Sequence, residues 1–129
     1  MIYLDTSALV KTILDEDEST QLVSFLGSAG PLVSSALVRT ELPRAVLRRD
    51  AIAGSMISEK IARLTLLALD NELLSLAGLV PPAQLGSLDA IHLASAAKVR
   101  DELVAFVSYD KRLLAAALAQ GLPVASPGA

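Results

Sequence analysis

The chain has 129 residues, a formal net charge of −3, 53% hydrophobic residues and 3% aromatic ones. That length suits one domain over 1–129 with its own core of Leu, Ala, Val and Ile, and it excludes a disordered chain. The absence of Cys and the single His, His92, exclude disulfides and thiolate sites and leave little for a Ser-His-Asp triad or a zinc-type cluster, so any metal site must be built from oxygens.

The opening segment MIYLDTSALVK lacks a basic leader and carries Asp5 inside its apolar run, unlike a signal peptide. Longer apolar stretches are broken by charge or proline before the roughly 18 residues a membrane span needs. A soluble cytoplasmic protein is expected. The acidic balance excludes little: without the four acids discussed below the remainder is slightly basic, and a cluster filled with divalent cations no longer repels phosphate.

In chain order, Ile2 to Leu4 reads as a short apolar strand and Thr6 to Leu14 as a helix. The acidic bend DEDES leads into a second helix from Glu18 to Leu26. Gly30-Pro31 punctuates the chain before a strand at Leu32 to Ser34. Ala36 to Arg49 has helical spacing, although Pro43 costs it a hydrogen bond and clashes with the carbonyl of Arg39. Either this helix kinks or it restarts with Thr40 as cap. After a break near Gly54, Ser55 to Leu69 reads as one amphipathic helix with Ile57, Ile61, Leu64 and Ala68 on a stripe.

Leu73 to Leu76 is expected as a third strand. Pro81-Pro82 and Gly86 mark a loop, and Ser87 is a candidate cap for a helix from Leu88 to about Val99. Val104 to Val107 is apolar throughout, as a doubly covered parallel strand should be. Lys111 to Ala119 is helical, Gly121 stops it, and Val124-Ala125 reads as a last edge strand. Strands alternating with helices imply an α/β domain of three layers, with a central, mostly parallel sheet of four to five strands flanked by helices. Ligands in such sheets bind beyond the carboxyl ends of the strands.

Acids at those ends therefore draw attention. Asp5 directly follows the first strand and Asp110 follows the strand ending at Val107, yet either could simply cap the next helix. Asp89 lies in the first turn of its helix, where the macrodipole favours an acid in any case. Glu41 lies beside the apolar stripe of Leu37, Val38 and Ala45, so it needs a cation or donors. A salt bridge to Arg44 or Arg48 is the plain alternative. Crowded carboxylates raise one another's pKa unless a cation joins them. Hard oxygen ligands suit Mg²⁺ or Mn²⁺, which can activate water and offset phosphoryl charge.

Among the basic residues, Arg39, Arg44, Arg48, Lys111 and Arg112 are candidates for phosphate contacts, Arg112 foremost because it follows Asp110 closely. Ordinary solvated helix charge is the competing reading for each. His92 is expected as a packed or supporting histidine and Asp15 to Glu18 as solvated surface. With few aromatic residues to stack on bases, any nucleic-acid binding would rest on phosphate contacts and backbone shape.

The segments MIYLDTSALVK, SSALVRTELPRA, LDAIHLASA and FVSYDKRLLAAALAQGLPVASP resemble the PIN-domain nucleases, most closely the VapC toxins of toxin–antitoxin pairs. They span nearly the whole chain in the family's order. The resemblance implies a PIN fold and an endoribonuclease that hydrolyses RNA phosphodiester bonds with a water activated by Mg²⁺ or Mn²⁺. Asp5, Glu41, Asp89 and Asp110 match the family's acidic, metal-holding cluster. Thr6 or Ser7 matches a supporting hydroxyl, and Ser108 fits a similar role. The resemblance further implies a homodimer and a VapB-like antitoxin whose tail blocks the acidic pocket.

Rivals from other classes fit less well. A phosphoacceptor domain needs paired acids after the first strand, where DTSA offers one. A haloacid-dehalogenase-like phosphatase needs a second Asp where Ser7 stands. A PIN domain that has lost activity and serves only as a binding partner is disfavoured by the presence of all four acids.

Overall fold

Strand β1 (Ile2–Leu4) lies at the centre of a five-stranded sheet because its side chains are apolar on both faces. Ile2 and Leu4 point into one buried cluster and Tyr3 into the other. The computed structural model describes residues 1–27 and 29–129. After β1 come α1 (Thr6–Ile13), α2 (Ser19–Leu26), β2 (Leu32–Ser35), α3 (Val38–Leu47), α4 (Gly54–Ala62), β3 (Thr65–Leu67) and α5 (Asn71–Ala77). Then follow α6 (Ser87–Lys98), a 3₁₀ turn at Arg100–Glu102, β4 (Ala105–Val107), α7 (Lys111–Ala119) and β5 (Val124–Ala125).

All pairings are parallel and the strand order is β3-β2-β1-β4-β5. The chain builds outward from β1 through β2 to β3, then returns to the other side of β1 with β4. The crevice between the ends of β1 and β4 is thus the switch point, where doubly wound sheets bind ligands. Alternation of side chains along the strands assigns the two layers. Ile2, Leu4, Ala105 and Val107 pack with Leu9, Leu22, Leu42, Val46 and Ile57 of the first four helices. Tyr3, Val33 and Phe106 pack with Leu93 and Ala96 of α6 and with Leu113, Ala116 and Ala117 of α7. The expected three-layer α/β architecture is what the chain forms.

Two elements differ from the sequence reading. The segment read as one helix from Ser55 to Leu69 ends at Ala62, and Thr65–Leu67 pairs with β2 as β3. Leu73 to Leu76 is not a strand but part of α5, capped by Asp70, whose Oδ1 accepts from Leu73 N at 2.8 Å. Smaller differences occur at element ends. Val104 is exposed and precedes β4. Gly86, not Ser87, holds the N-cap position of α6. Helix α3 does not restart at Thr40: it runs from Val38 through Pro43 to Leu47, with Leu37 in the cap position. Gly121 ends α7 as expected, its φ of 80° being the left-handed conformation that glycine adopts without strain. Among the described residues no helix is long and apolar enough to cross a membrane.

Candidate active site

Each of the four acids is positioned by the element it borders. Asp5 leaves β1, its backbone N–H donating to Val107 O of β4, and caps α1 by accepting from Ala8 N at 2.9 Å. Asp110 caps α7, its Oδ1 accepting from Arg112 N and Leu113 N at 2.9 and 3.2 Å. Both capping readings therefore hold. They do not use up the carboxylates: a carboxylate has about four acceptor positions. Asp89 lies in the first turn of α6 and Glu41 in the first turn of α3.

Asp5 is buried, at 4% exposure. Ser7 Oγ donates to its Oδ1 at 2.7 Å and Ser108 Oγ to its Oδ2 at 2.6 Å. Ser108 Oγ also accepts from Asp110 N at 3.0 Å, and Ser7 Oγ from Tyr109 N at 3.0 Å. The two expected supporting hydroxyls thus tie the end of β1 to the turn after β4. Burial pushes the Asp5 carboxyl above its usual range, and the hydrogen bonds from Ser108 and Ser7 offset this only in part.

Glu41 is half-buried, and neither Arg44 nor Arg48 is its partner: its Oε1 accepts from Thr6 Oγ1 at 2.6 Å and from His92 Nε2 at 2.7 Å. Burial opposes its charge, but the bonds from His92 and Thr6 outweigh burial and hold this carboxyl below its ordinary value. His92 in turn meets Tyr3 Oη through Nδ1 at 2.8 Å. Tyr3 is stacked on Phe106 with ring centroids 5.3 Å apart, and its burial raises the phenol's pKa. Sequence reasoning missed the Tyr3–His92–Glu41 chain. The available signal was a lone histidine on an apolar helix, which must find polar partners.

Asp89 is half-buried, and its carboxyl is raised first by burial, then by the charge of Asp110, with Asp5 and Glu41 adding to it. Asp89 and Asp110 line one open groove of about 980 Å³, with Pro81, Leu85, Arg112 and Ala119. Asp5 and Glu41 do not line that groove. Among the described residues no group of three or more Asp, Glu, His or Cys side chains is arranged to hold a metal ion. The four acids share one end of the sheet and the other three act on Asp89, but as placed they are not a closed coordination shell.

The donor chemistry nevertheless fits a hard divalent cation. Among the described residues no hydrogen bond engages Glu41 Oε2, Asp110 Oδ2 or either Asp89 oxygen, and Asp5 Oδ2 accepts only from Ser108. Burial is the first cause of the rise at Asp89; the contributions of Asp110, Asp5 and Glu41 are the repulsion that a cation between these carboxylates would relieve.

Of the candidate basic residues, Arg112 is exposed on the groove wall. Arg39 lines a separate cleft with Ser58, Ile61 and Leu64, while Arg44, Arg48 and Lys111 are exposed. The acidic bend is not wholly solvated: Glu16 and Glu18 hold Lys11, which lies over the Tyr109 ring at 4.8 Å, and Glu16 also pairs with Arg49.

Comparison with known proteins extends this picture. The family model described as "PIN domain" matches residues 2–119. The chain is 42% identical over 134 residues to Ribonuclease VapC47 of Mycobacterium tuberculosis, covering 100% of this chain and 98% of that one. It is 42% identical over 126 residues to Ribonuclease VapC46 of the same species, covering 98% and 97%. In fold it is similar to M. tuberculosis VapC20, described as a Sarcin-Ricin loop cleaving toxin, with a TM-score of 0.79, 18% identity and coverage of 98% and 100%. VapBC2 of Rickettsia felis, solved with a DNA fragment from its promoter, superposes with a TM-score of 0.70, 17% identity and coverage of 98% and 99%.

Proposed function

The chain belongs to the PIN-domain family and is a VapC-like endoribonuclease toxin, and from that premise we propose that it hydrolyses RNA with a divalent metal, Mg²⁺ or Mn²⁺, held by Asp5, Glu41, Asp89 and Asp110. One observation carries this reading. Four separate segments bring acids to the switch-point end of the sheet, where the other three act on Asp89 and each keeps an oxygen free or only partly used.

In this reading Asp5 is the fixed member, because three donors hold its carboxylate against α1 and the turn after β4. Asp110 offers Oδ2 while Oδ1 stays with the helix cap. Glu41 offers Oε2 while Thr6 and His92 hold Oε1. Asp89, which no donor among the described residues holds, is the acid free to turn inward. A bound divalent ion supplies Lewis-acid stabilisation of charge on the phosphoryl oxygens and makes water more acidic. Arg112 on the groove wall contacts the RNA backbone. Among the described residues no aromatic side chain lines the groove, so the grip rests on phosphates and shape, not base stacking.

The proposed partner is a VapB-like antitoxin that covers the groove, with two copies of this chain forming a homodimer. The catalytic reading is tested by RNA cleavage with Mn²⁺ and with EDTA, comparing wild type with Asp5→Asn. Cleavage that needs Mn²⁺ and is lost in the variant supports it. Equal cleavage by both proteins removes the assignment, and no cleavage by either leaves a PIN domain that acts as a binding partner.

A further inference from the structure

His92 is the only histidine in the chain, and at 2% exposure it is sealed between two elements it does not belong to. One ring nitrogen meets the hydroxyl of Tyr3 on the central strand, and the other meets the carboxylate of Glu41 on α3. Thr6 Oγ1 completes the cluster, 2.6 Å from Glu41 Oε1 and 3.3 Å from His92 Nε2. We propose that Tyr3 and His92 are positioning residues that set the rotamer of Glu41, so that Oε2 is presented to the metal. The inference rests on the metal-dependent reading above.

The chemistry of the three groups fixes the direction of the bonds. An ionised carboxylate only accepts, so Nε2 must carry the proton that faces Glu41. In the neutral ring Nδ1 is then an acceptor, and the Tyr3 hydroxyl donates to it. Tyr3 cannot shift, because its ring is stacked on Phe106 and meets the His92 ring edge-on at 5.9 Å. The carboxylate thus sets the histidine tautomer, and Tyr3, fixed on its strand, holds the ring so that Nε2–H and the Thr6 hydroxyl together engage one oxygen of Glu41. Partners of this kind, one step removed from a metal ligand, typically carry 10- to 100-fold in affinity or activity.

The test combines ring NMR with metal binding on the untagged chain. With ¹⁵N-histidine, the single metal-free resonance pair should report an Nε2–H ring in wild type, and the Nδ1 resonance should shift in Tyr3→Phe, where its hydrogen bond is lost. Mn²⁺ titration should show about 10- to 100-fold weaker binding for His92→Leu. His92→Gln, whose amide reaches the position of Nε2, should recover most of the loss. Thermal unfolding without metal records the packing cost of each variant separately. An Nδ1–H ring in wild type, or Mn²⁺ binding by folded His92→Leu and Tyr3→Phe equal to wild type, overturns the inference alone. A wild-type chain that binds no Mn²⁺ overturns the metal reading and this inference with it.

Discussion

Ser108 Oγ donates to Asp5 Oδ2 across 2.6 Å, joining residues 103 positions apart at the ends of two neighbouring strands. The same hydroxyl accepts from Asp110 N. One side chain therefore sets the spacing between two of the four acids, at the point where the order of the sheet reverses. Ser108 is wholly buried, so water cannot replace it.

Ser108→Ala is expected to lower RNA cleavage by about 10- to 100-fold, the usual effect of losing a hydrogen bond that orients a metal ligand. It should also cost on the order of 1–3 kcal/mol in stability, since a buried carboxylate oxygen loses its donor. Cleavage kinetics together with urea unfolding check both effects. A variant with full activity would show that Asp5 needs no such restraint.

The raised carboxyl of Asp89 sets a pH dependence. Its proton is held more tightly in the folded chain than in the unfolded one, because burial and then Asp110 oppose its charge. The native state therefore binds more protons than the unfolded state between the ordinary value of 3.8 and the raised one. Stability is lost as pH rises through that window and does not return at neutral pH. Asp89→Asn carries no such charge, so without metal it should melt above wild type at pH 7, with the gap closing near pH 3. Melting curves across that range decide it, and a variant that melts below wild type at pH 7 contradicts the sign.

How far the sequence revealed this arrangement depends on the range of the interactions involved. Asp5 and Asp110 were legible because β1 and β4 are uninterrupted apolar runs, and an acid just beyond such a run must sit at the end of the sheet. The strand β3 was hidden because Ile57, Ile61, Leu64 and Ala68 keep helical spacing across the true helix end, with no Gly or Pro to mark it. Leu73 to Leu76 failed for the complementary reason. A four-residue leucine-rich run suits strand and helix alike, and Asp70 tips it by capping α5. The partner of Glu41 could not be read at all. Arg44 and Arg48 are near in sequence, whereas His92 is 51 residues away and reaches Glu41 only because α6 packs beside the end of β2.

Arg112 gives a prediction about substrate, independent of the metal. It is exposed on the groove wall beside Asp110, where a phosphate could neutralise it. Arg112→Ala should weaken RNA binding with little sequence preference and lower the slope of log affinity against log salt by about 1. Its stability should stay within about 0.5 kcal/mol of wild type, as for most exposed positions. Fluorescence titrations of a short RNA at several salt concentrations measure the slope, and an unchanged slope assigns the phosphate contact to another residue.

Metal binding and the strain at Asp89 combine in the last prediction. Burial and then the charges of Asp110, Asp5 and Glu41 oppose ionisation of Asp89 and cost the metal-free chain stability, and a cation beside Asp89 converts that repulsion into attraction. A ligand that binds only the folded state stabilises it by about 2.7 kcal/mol at a hundred times its dissociation constant. Wild type should therefore melt higher as Mn²⁺ is added, while Asp5→Asn and Asp89→Asn should respond weakly. Because Asp89→Asn starts above wild type without metal, the two melting curves should cross as Mn²⁺ rises. EDTA should restore the original order. The crossing separates a metal site from four unrelated caps and bridges, since caps alone give Asp89→Asn a constant offset at every Mn²⁺ concentration. Parallel titration curves would leave Asp89 as a helix-start acid with no share in an ion.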